Sequence, residues 1–415
     1  MNYRKRGLEE KVRRLSAVSP AVLIVGARQV GKSTLLSHLF PEARHVVFDP
    51  VVDVGGARRD PEFFLQQHPP PLILDEIQFA PELLPVLKRR IDEDPRPGLW
   101  FLTGSQNFAV LRNASESLAG RVAVLELHPF SLAEGSGEGG DAGPSWVDDL
   151  FAADAAARLK ERKRLPAPSG ETVFRRLWRG GFPRLVDLDD AVVPDILGSY
   201  LSTYVERDVR MIAAVEDQHL FGRFLGLCAA LTAQEANHSH LGRELGVASQ
   251  TAHRWLRTLA AGYQWIEVPA FSANAVKRVS RRPKGFFADT GLACHLHRLS
   301  SPGSLSGSPL LGPLFETLVA MEIVKLSARS ATAPRLWHWR SHGGAEVDLL
   351  LERDGKFIPV EMKATPRPVE RDARGIRAFR ETHPSLAHGR GIVVSTAPEA
   401  FELRDRIVVI PYDLA

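Results

Sequence analysis

Short apolar runs alternate with segments of helical spacing through the first third of the chain. Val22–Val25, His45–Phe48, Leu72–Leu74, Leu99–Leu102 and Val122–Leu127 read as strands, and the run at Val22 has the look of a strand buried on both faces. The first twenty residues are polar and basic with apolar residues at helical spacing, and Thr34–Phe40 repeats that spacing. Strand–helix alternation with polar residues at the carboxyl ends of the strands predicts a parallel, doubly wound α/β sheet. Further on, Ala152–Arg164 and Asp195–Arg210 read as helices, Phe315–Glu322 as an amphipathic helix, and Val347–Leu351 and Phe357–Lys363 as strands of a hairpin.

The run after Val25 carries the first chemistry. Gly26-Ala27-Arg28-Gln29-Val30-Gly31-Lys32-Ser33 fits G-x-x-x-x-G-K-[ST] between a strand and a helix, the context that pattern needs. Glycines let backbone N–H groups close around phosphate oxygens, and the helix N-terminus adds positive potential. Gly26 through Thr34 therefore form the expected ATP cradle, with Lys32 reaching the β- and γ-phosphates and Ser33 ligating Mg²⁺. Leu72-Ile73-Leu74-Asp75-Glu76 is an apolar strand ending in two acids. Asp75 is expected to hold Mg²⁺ through water and Glu76 to orient the attacking water. Thr103 and Ser105, at the tip of the next strand, fit either a γ-phosphate sensor or an ordinary strand-end cap. Arg121 fits either an arginine reaching a neighbouring subunit's nucleotide or a surface ion pair. Arg6 fits approach to the base or, more simply, a solvated helix face.

Beyond the sheet, Glu134–Gly143 is rich in Gly, Ser and acids and reads as a linker. The helical region that follows suits a lid, in which Arg184 and Arg207 face phosphate or pair within the lid. His240–Leu259 has helix-turn-helix spacing, with Gln250, Thr251, His253, Arg254 and Arg257 on the second helix and Ile266–Phe271 fitting a wing strand. Such a module serves DNA contact or plain packing, and the basic run Lys277–Arg282 leans toward DNA. In the last third, Asp348 stands on one strand and Glu361 and Lys363 share a face of the next. With Glu316 upstream, these residues fit a Mg²⁺ site for phosphodiester hydrolysis, in which Lys363 positions or deprotonates water.

The totals fit this picture. At 415 residues the chain is long enough for two or three domains, and its 44% hydrophobic content is that of a soluble globular protein. No stretch approaches a membrane span and the start lacks an apolar signal core, so no membrane partner and a cytoplasmic location are expected. Cys228 and Cys294 read as buried free thiols, as in a reducing compartment. The net charge of +4 tolerates a nucleic-acid partner without demanding one.

The chain resembles the prokaryotic AAA+ ATP-binding proteins that carry a C-terminal domain of unknown function. The resemblance rests on Gly26–Ser33, Leu72–Glu76, Leu102–Ser105, Ser117–Arg121, Gly180–Pro183, Tyr204–Asp208, Ala288–Leu292 and Gly344–Lys363, in that order. Ala27 departs from the usual proline, and the insertion Glu134–Pro168 is longer than usual. The resemblance implies an AAA+ module at residues 1–133 with Arg121 at the arginine-finger position. It further implies a linker and helical lid at 134–215, a winged helix at 216–285 and a PD-(D/E)XK nuclease-like fold at 286–415. From these parts the expected activity is ATP hydrolysis in a hexameric ring that translocates or remodels DNA, branched DNA included. The alternatives are an ATP-gated, Mg²⁺-dependent nuclease and a nucleotide-dependent scaffold for a protein partner.

Overall fold

A computed structural model describes residues 3–105, 118, 120–139, 143–166, 172–204, 209, 217–273 and 281–415. After helix α1 (Glu9–Ser16), β1 (Ala21–Val25) runs buried at every position, which is why its sequence is uninterrupted Ala, Val, Leu and Ile. It continues through the phosphate loop into α2 (Lys32–Leu39). Next come β2 (Arg44–Val47), α3 (Pro61–Gln67), β3 (Leu72–Asp75), α4 (Leu83–Glu93), β4 (Trp100–Gly104) and β5 (Val122–Glu126). The five strands form one parallel sheet in the order β2-β3-β4-β1-β5. Register sets Val25 beside Gly104 and Glu126, and Val47 beside Asp75. The strands therefore end together, and the loops that leave them share one rim.

The segment beyond β5 is more ordered than its composition predicts. Ser131 and Glu134 close a capping box on α5 (Leu132–Ser136), so Glu134 is a buried helix residue and not part of a loop. Two short helices, α6 (Trp146–Asp149) and α7 (Ala155–Glu161), then dock on the C-terminal sheet. Asp148 pairs with Arg353 at 3.1 Å, Arg164 with Asp413 at 2.8 Å, and the Leu165 N–H donates to the Asp413 carbonyl. Helices α8 (Val173–Arg179) and α9 (Val193–Thr203) pack on a later helix at Thr290–Leu296. Arg184 is exposed, while Arg207 and the motif residues 205–208 lie outside the described residues.

Three helices follow, α10 (Gln218–Ala230), α11 (His238–Leu245) and α12 (Ser249–Ala261). Gly246 at φ 70° ends α11 and makes the turn into α12. A small antiparallel sheet, β6-β8-β7, completes this unit from Gln234–Glu235, Lys284–Phe287 and Trp265–Val268. The basic residues 277–280 lie outside the described residues.

The helix at Thr290–Leu296, α13, leads to the long helix α14 (Leu311–Arg329). Strands β9 (Arg335–Arg340), β10 (Glu346–Arg353) and β11 (Lys356–Lys363) are antiparallel. Asp354-Gly355, both at positive φ, form the two-residue turn between β10 and β11. Helix α15 (Arg374–Thr382) follows, then β12 (Ala387–His388), β13 (Gly391–Ser395), β14 (Phe401–Leu403) and β15 (Ile407–Pro411). The sheet order is β14-β15-β13-β11-β10-β9, with β12 beside β11 and with β11, β13 and β15 parallel. One contiguous cluster of buried apolar side chains runs from Val22 and Leu74 through Phe224 and Trp255 to Ile358 and Val408. No described helix is long and apolar enough to cross a membrane. Cys228 and Cys294 are free and buried, and burial pushes both thiols up.

Candidate functional site

The loop from Gly26 to Ser33 curls because Gly26, Gln29 and Gly31 all take positive φ, at 146°, 61° and 93°. At Gly26 only glycine fits, since an added Cβ would overlap the Leu127 carbonyl oxygen. Arg28, Gln29 and Val30 form the crest, and Thr34 lies exposed on the first turn of α2. Lys32 is buried, and its ammonium donates to the Gly26 carbonyl at 3.0 Å and the Ala27 carbonyl at 2.9 Å. The lysine is thus drawn back across the mouth of its own loop. Curled loops of this kind turn their backbone N–H groups toward a bound anion.

Asp75 ends β3 facing this loop. The Ser33 hydroxyl donates to its Oδ1 at 2.8 Å, and the His45 Nε2 stands 3.3 Å from its Oδ2. Thr103 also donates to Asp75 Oδ1, and its oxygen accepts the Glu76 N–H at 3.0 Å. Both sides of the Thr103 hydroxyl are therefore spent on aligning the acids at the end of β3. Glu76 sits at φ 58°, a left-handed conformation that turns its side chain away from the strand line. Its carboxylate accepts from Gln78 Nε2, which also donates to Ser105 Oγ at 3.0 Å. Lys32, Ser33, Asp75, Glu76, Thr103 and Ser105 all stand at one rim of the sheet.

Three contributors to this rim escape a reading of the sequence. Gln78 lies two residues past Glu76, a spacing that was available but carries no pattern of its own. His45 comes from the neighbouring strand. Arg6 is buried, not solvated: it donates to the Val30 and His128 carbonyls at 2.7 Å each, and its Nε lies 3.1 Å from Glu134. It braces the phosphate loop from behind.

Arg121 lies elsewhere. It precedes Val122, whose register partner is Ala21, so it sits at the amino end of the strands, opposite the phosphate loop. Its guanidinium meets Asp92 of α4 at 2.5 Å and 3.1 Å, and this bond lowers the Asp92 carboxyl below its usual range.

The C-terminal residues form a second cluster. Asp348 and Glu361 are buried on adjacent strands, with Lys363 Nζ 2.7 Å from Glu361 and 3.5 Å from Asp348. Glu316 projects from α14. A fifth residue, Lys284 of β8, stands among them, paired with Glu316 and 3.4 Å from Asp348 Oδ1. Burial, then the neighbouring Asp348, pushes Glu316 up to about 8 and Glu361 well above the ordinary carboxyl range. Burial also opposes charge on Asp348, but Lys284 and Lys363 outweigh it and hold this carboxyl low. The expected ligands thus converge, yet a lysine stands where the sequence places Mg²⁺. Among the described residues no group of three or more His, Cys, Asp or Glu is arranged to hold a metal ion.

On α12, Gln250, His253, Arg254 and Arg257 are exposed, while Ala252, Trp255, Leu256 and Leu259 are buried. The exposed four recur at helical spacing and share one face.

Comparison with known proteins agrees with the first of these sites. Residues 18–135 match the family described as AAA domain. Residues 170–303 and 311–415 match two families described as domains of unknown function, DUF8612 and DUF4143. Uncharacterized proteins of Mycobacterium tuberculosis and Mycobacterium bovis are each 29% identical over 100% of this chain and 85% of their own length. Among solved structures, a Walker-type ATPase of Pyrococcus abyssi is similar at 17% identity, covering 71% of this chain and 99% of that one, with a TM-score of 0.41. The Holliday junction branch migration motor of Thermotoga maritima is similar at 18% identity, covering 67% and 95%, with a TM-score of 0.31. The parallel five-stranded sheet and the AAA match together mark the N-terminal region as a P-loop ATPase module.

Proposed function

We propose that this chain binds ATP with Mg²⁺ at the Gly26–Thr34 loop and hydrolyses it. The observation that carries the reading is the meeting of the Lys32 loop with Asp75 and Glu76, tied by the Ser33–Asp75 bond at 2.8 Å. The donor set suits the ion: a hydroxyl and a carboxylate, hard oxygen ligands at a helix start. Ser33 and Asp75 would hold the Mg²⁺, which would supply charge neutralisation at the phosphates. Lys32, now bonded to the Gly26 and Ala27 carbonyls, would exchange those partners for phosphate oxygens. Glu76 orients the attacking water, and Gln78 and Thr103 fix where that carboxylate stands. The test is phosphate release from ATP by the wild type, Lys32→Ala and Glu76→Gln. Turnover is expected in the wild type alone, with Glu76→Gln still binding a fluorescent ATP analogue. A wild type that neither binds the analogue nor releases phosphate overturns the reading.

We further infer that hydrolysis serves DNA, in an oligomeric ring such as a hexamer. The exposed basic face of α12, in a helix-turn-helix followed by an antiparallel sheet, supports winged-helix contact with a phosphate backbone. Arg121 is compatible with a ring, because it lies at the amino end of the strands, away from its own phosphate loop, so any nucleotide it served would be a neighbour's. Arg254→Ala and Arg257→Ala should each weaken binding to duplex or four-way DNA and reduce its salt dependence by about one ion. DNA-independent turnover with no DNA binding at low salt would leave the scaffold reading. Nuclease activity by the C-terminal fold has less support, because of Lys284.

A further inference from the structure

Lys284 joins a cluster to which its own structural unit does not otherwise belong. It is the first residue of β8, in the small β6-β8-β7 sheet, whereas Asp348, Glu361 and Lys363 lie on β10 and β11 and Glu316 on α14. The chain around it is stitched to the edge of the large sheet. The His338 Nε2 of β9 donates to the Arg282 carbonyl at 3.0 Å, the His338 backbone N–H donates to the Pro269 carbonyl, and the His338 carbonyl accepts from the Phe271 N–H. A cavity of about 380 Å³, lined by Glu235, Lys284, His338, Arg340 and Glu346 among others, opens beside the ammonium. Lys284 is therefore at the wall of a polar cavity and not in an apolar core.

The oxygens a metal needs are already engaged. Asp348 Oδ1 faces Lys284 at 3.4 Å, and Oδ2 accepts the Met362 N–H at 2.9 Å and faces Lys363 at 3.5 Å. Glu361 Oε2 accepts from Lys363 at 2.7 Å, and Glu316 is paired with Lys284. Mg²⁺ demands a near-ideal octahedron of oxygens at about 2.0–2.1 Å. An ammonium in the same place satisfies the carboxylates with one charge and three donors, and the cost of burying it is outweighed by Asp348 and Glu316. The residues as they stand do not fit a metal.

We propose that Lys284 is the resident cation of this acidic site, holding the β7–β8 unit on the large sheet and keeping divalent metal out while it stays docked. Removing its charge leaves three carboxyl groups facing one ammonium, next to a cavity that admits water. Asp348, Glu361 and Glu316 are not arranged for a metal while Lys284 stands among them, and its loss lets them draw together on a divalent cation.

The test is Mn²⁺ titration of the full chain, with free Mn²⁺ read by electron paramagnetic resonance. Ser33→Ala and Asp75→Asn are included throughout, so that the nucleotide site contributes no metal. In that background, Asp348→Asn should leave Mn²⁺ binding unchanged. Adding Lys284→Gln or Lys284→Ala should create one Mn²⁺ site per chain, and Asp348→Asn should then remove it. The proposal is overturned by Mn²⁺ binding in the background chain that Asp348→Asn abolishes. It is equally overturned by a Lys284→Gln protein with unchanged circular dichroism that gains no Mn²⁺. If neither Lys284 variant folds, the background comparison decides alone. Loss of ATP binding would not bear on any of these outcomes, since the two sites share no residue.

Discussion

Replacing Arg6 with alanine probes how the start of the chain supports the phosphate loop. The side chains of Arg6 and Glu134 are only 4% and 9% exposed, so water does little to screen their contact at 3.1 Å. Truncation leaves the Val30 and His128 carbonyls without these donors and removes a guanidinium that lies 4.7 Å from the Phe130 ring centre. Glu134 keeps the Gly7 and Ser131 N–H groups at 2.8 Å and 2.9 Å but has lost its paired cation. Breaking a buried pair from one side costs about 3–5 kcal/mol, and the retained N–H donors place this case near the lower end, at about 3 kcal/mol. Glu134→Gln on top of Arg6→Ala removes the stranded charge and should recover about 1–2 kcal/mol. The assay is a double-mutant cycle in urea, followed by fluorescence, with a parallel titration of a fluorescent ATP analogue. Because Val30 belongs to the loop, affinity for the analogue should fall about tenfold, which corresponds to about 1.4 kcal/mol. A cost below about 1 kcal/mol for Arg6→Ala, or additivity within about 0.5 kcal/mol, refutes the reasoning.

Three further outcomes are expected. Gly26→Ala forces a methyl group against the Leu127 carbonyl at an unfavourable φ, and should cost about 1–3 kcal/mol together with nucleotide binding; an unshifted thermal midpoint with full binding rejects the fit. If Arg121 serves a neighbour, mixing Arg121→Ala with Lys32→Ala chains should restore part of the ATP turnover that each lacks alone, whereas persistent inactivity across mixing ratios assigns Arg121 to its Asp92 pair. Burial, aided by Lys325 and Arg6, pushes the His128 ring down to about 3, so the fold favours the neutral ring. Glu126 stands 3.4 Å away, but burial pushes its own carboxyl up to about 7, which weakens its pull on the ring. Stability from His128 is therefore complete above the unfolded value of about 6.5 and is lost as pH falls toward 3, at up to about 1.4 kcal/mol per unit. His128→Gln should flatten that limb in urea titrations from pH 6.5 to 4, and an unchanged slope would assign the acid sensitivity to other groups.

The nucleotide site was legible because its chemistry is local. Gly26, Gly31, Lys32 and Ser33 lie within one turn of chain, and Asp75 and Glu76 announce themselves at the end of an apolar run. What joined them was less visible. His45 and Gln78 reach the rim by strand order and backbone turn, which no short window encodes. Arg6 looked like one basic residue on a polar helix, since nothing near it shows that Glu134 will be buried opposite. Glu134 itself sat in a Gly- and Ser-rich stretch, and only the Ser131 cap three residues earlier marks the helix. The C-terminal hairpin followed from period-two alternation around Asp354-Gly355. Lys284 did not follow, because it arrives from a strand 64 residues before Asp348 through packing between two sheets.

That packing gives α14 a particular place in the molecule. The helix spans 19 residues, about 28 Å at 1.5 Å per residue. Near its start Glu316 faces Lys284 in the acidic cluster. Further along, Glu322 accepts the Leu132 N–H at 3.0 Å and Lys325 donates to the Phe130 carbonyl at 2.9 Å, both in the chain leaving β5. At its end, the Ala328 carbonyl in the last turn and the Ser330 carbonyl just beyond it accept from Lys11 of α1 at 2.7 Å and 3.1 Å. Glu322 is fully buried, and burial pushes its carboxyl up against the opposing pull of Lys325. A shift of α14 along its axis must therefore break contacts with the chain after β5 and with α1 at one end and with Lys284 at the other. One helix thus joins the acidic cluster to segments that flank the nucleotide-site sheet. The Mn²⁺ titration repeated with the nucleotide site intact, with and without a non-hydrolysable ATP analogue, measures whether that connection carries free energy: a Lys284→Gln chain whose Mn²⁺ affinity is the same in both conditions has none to carry.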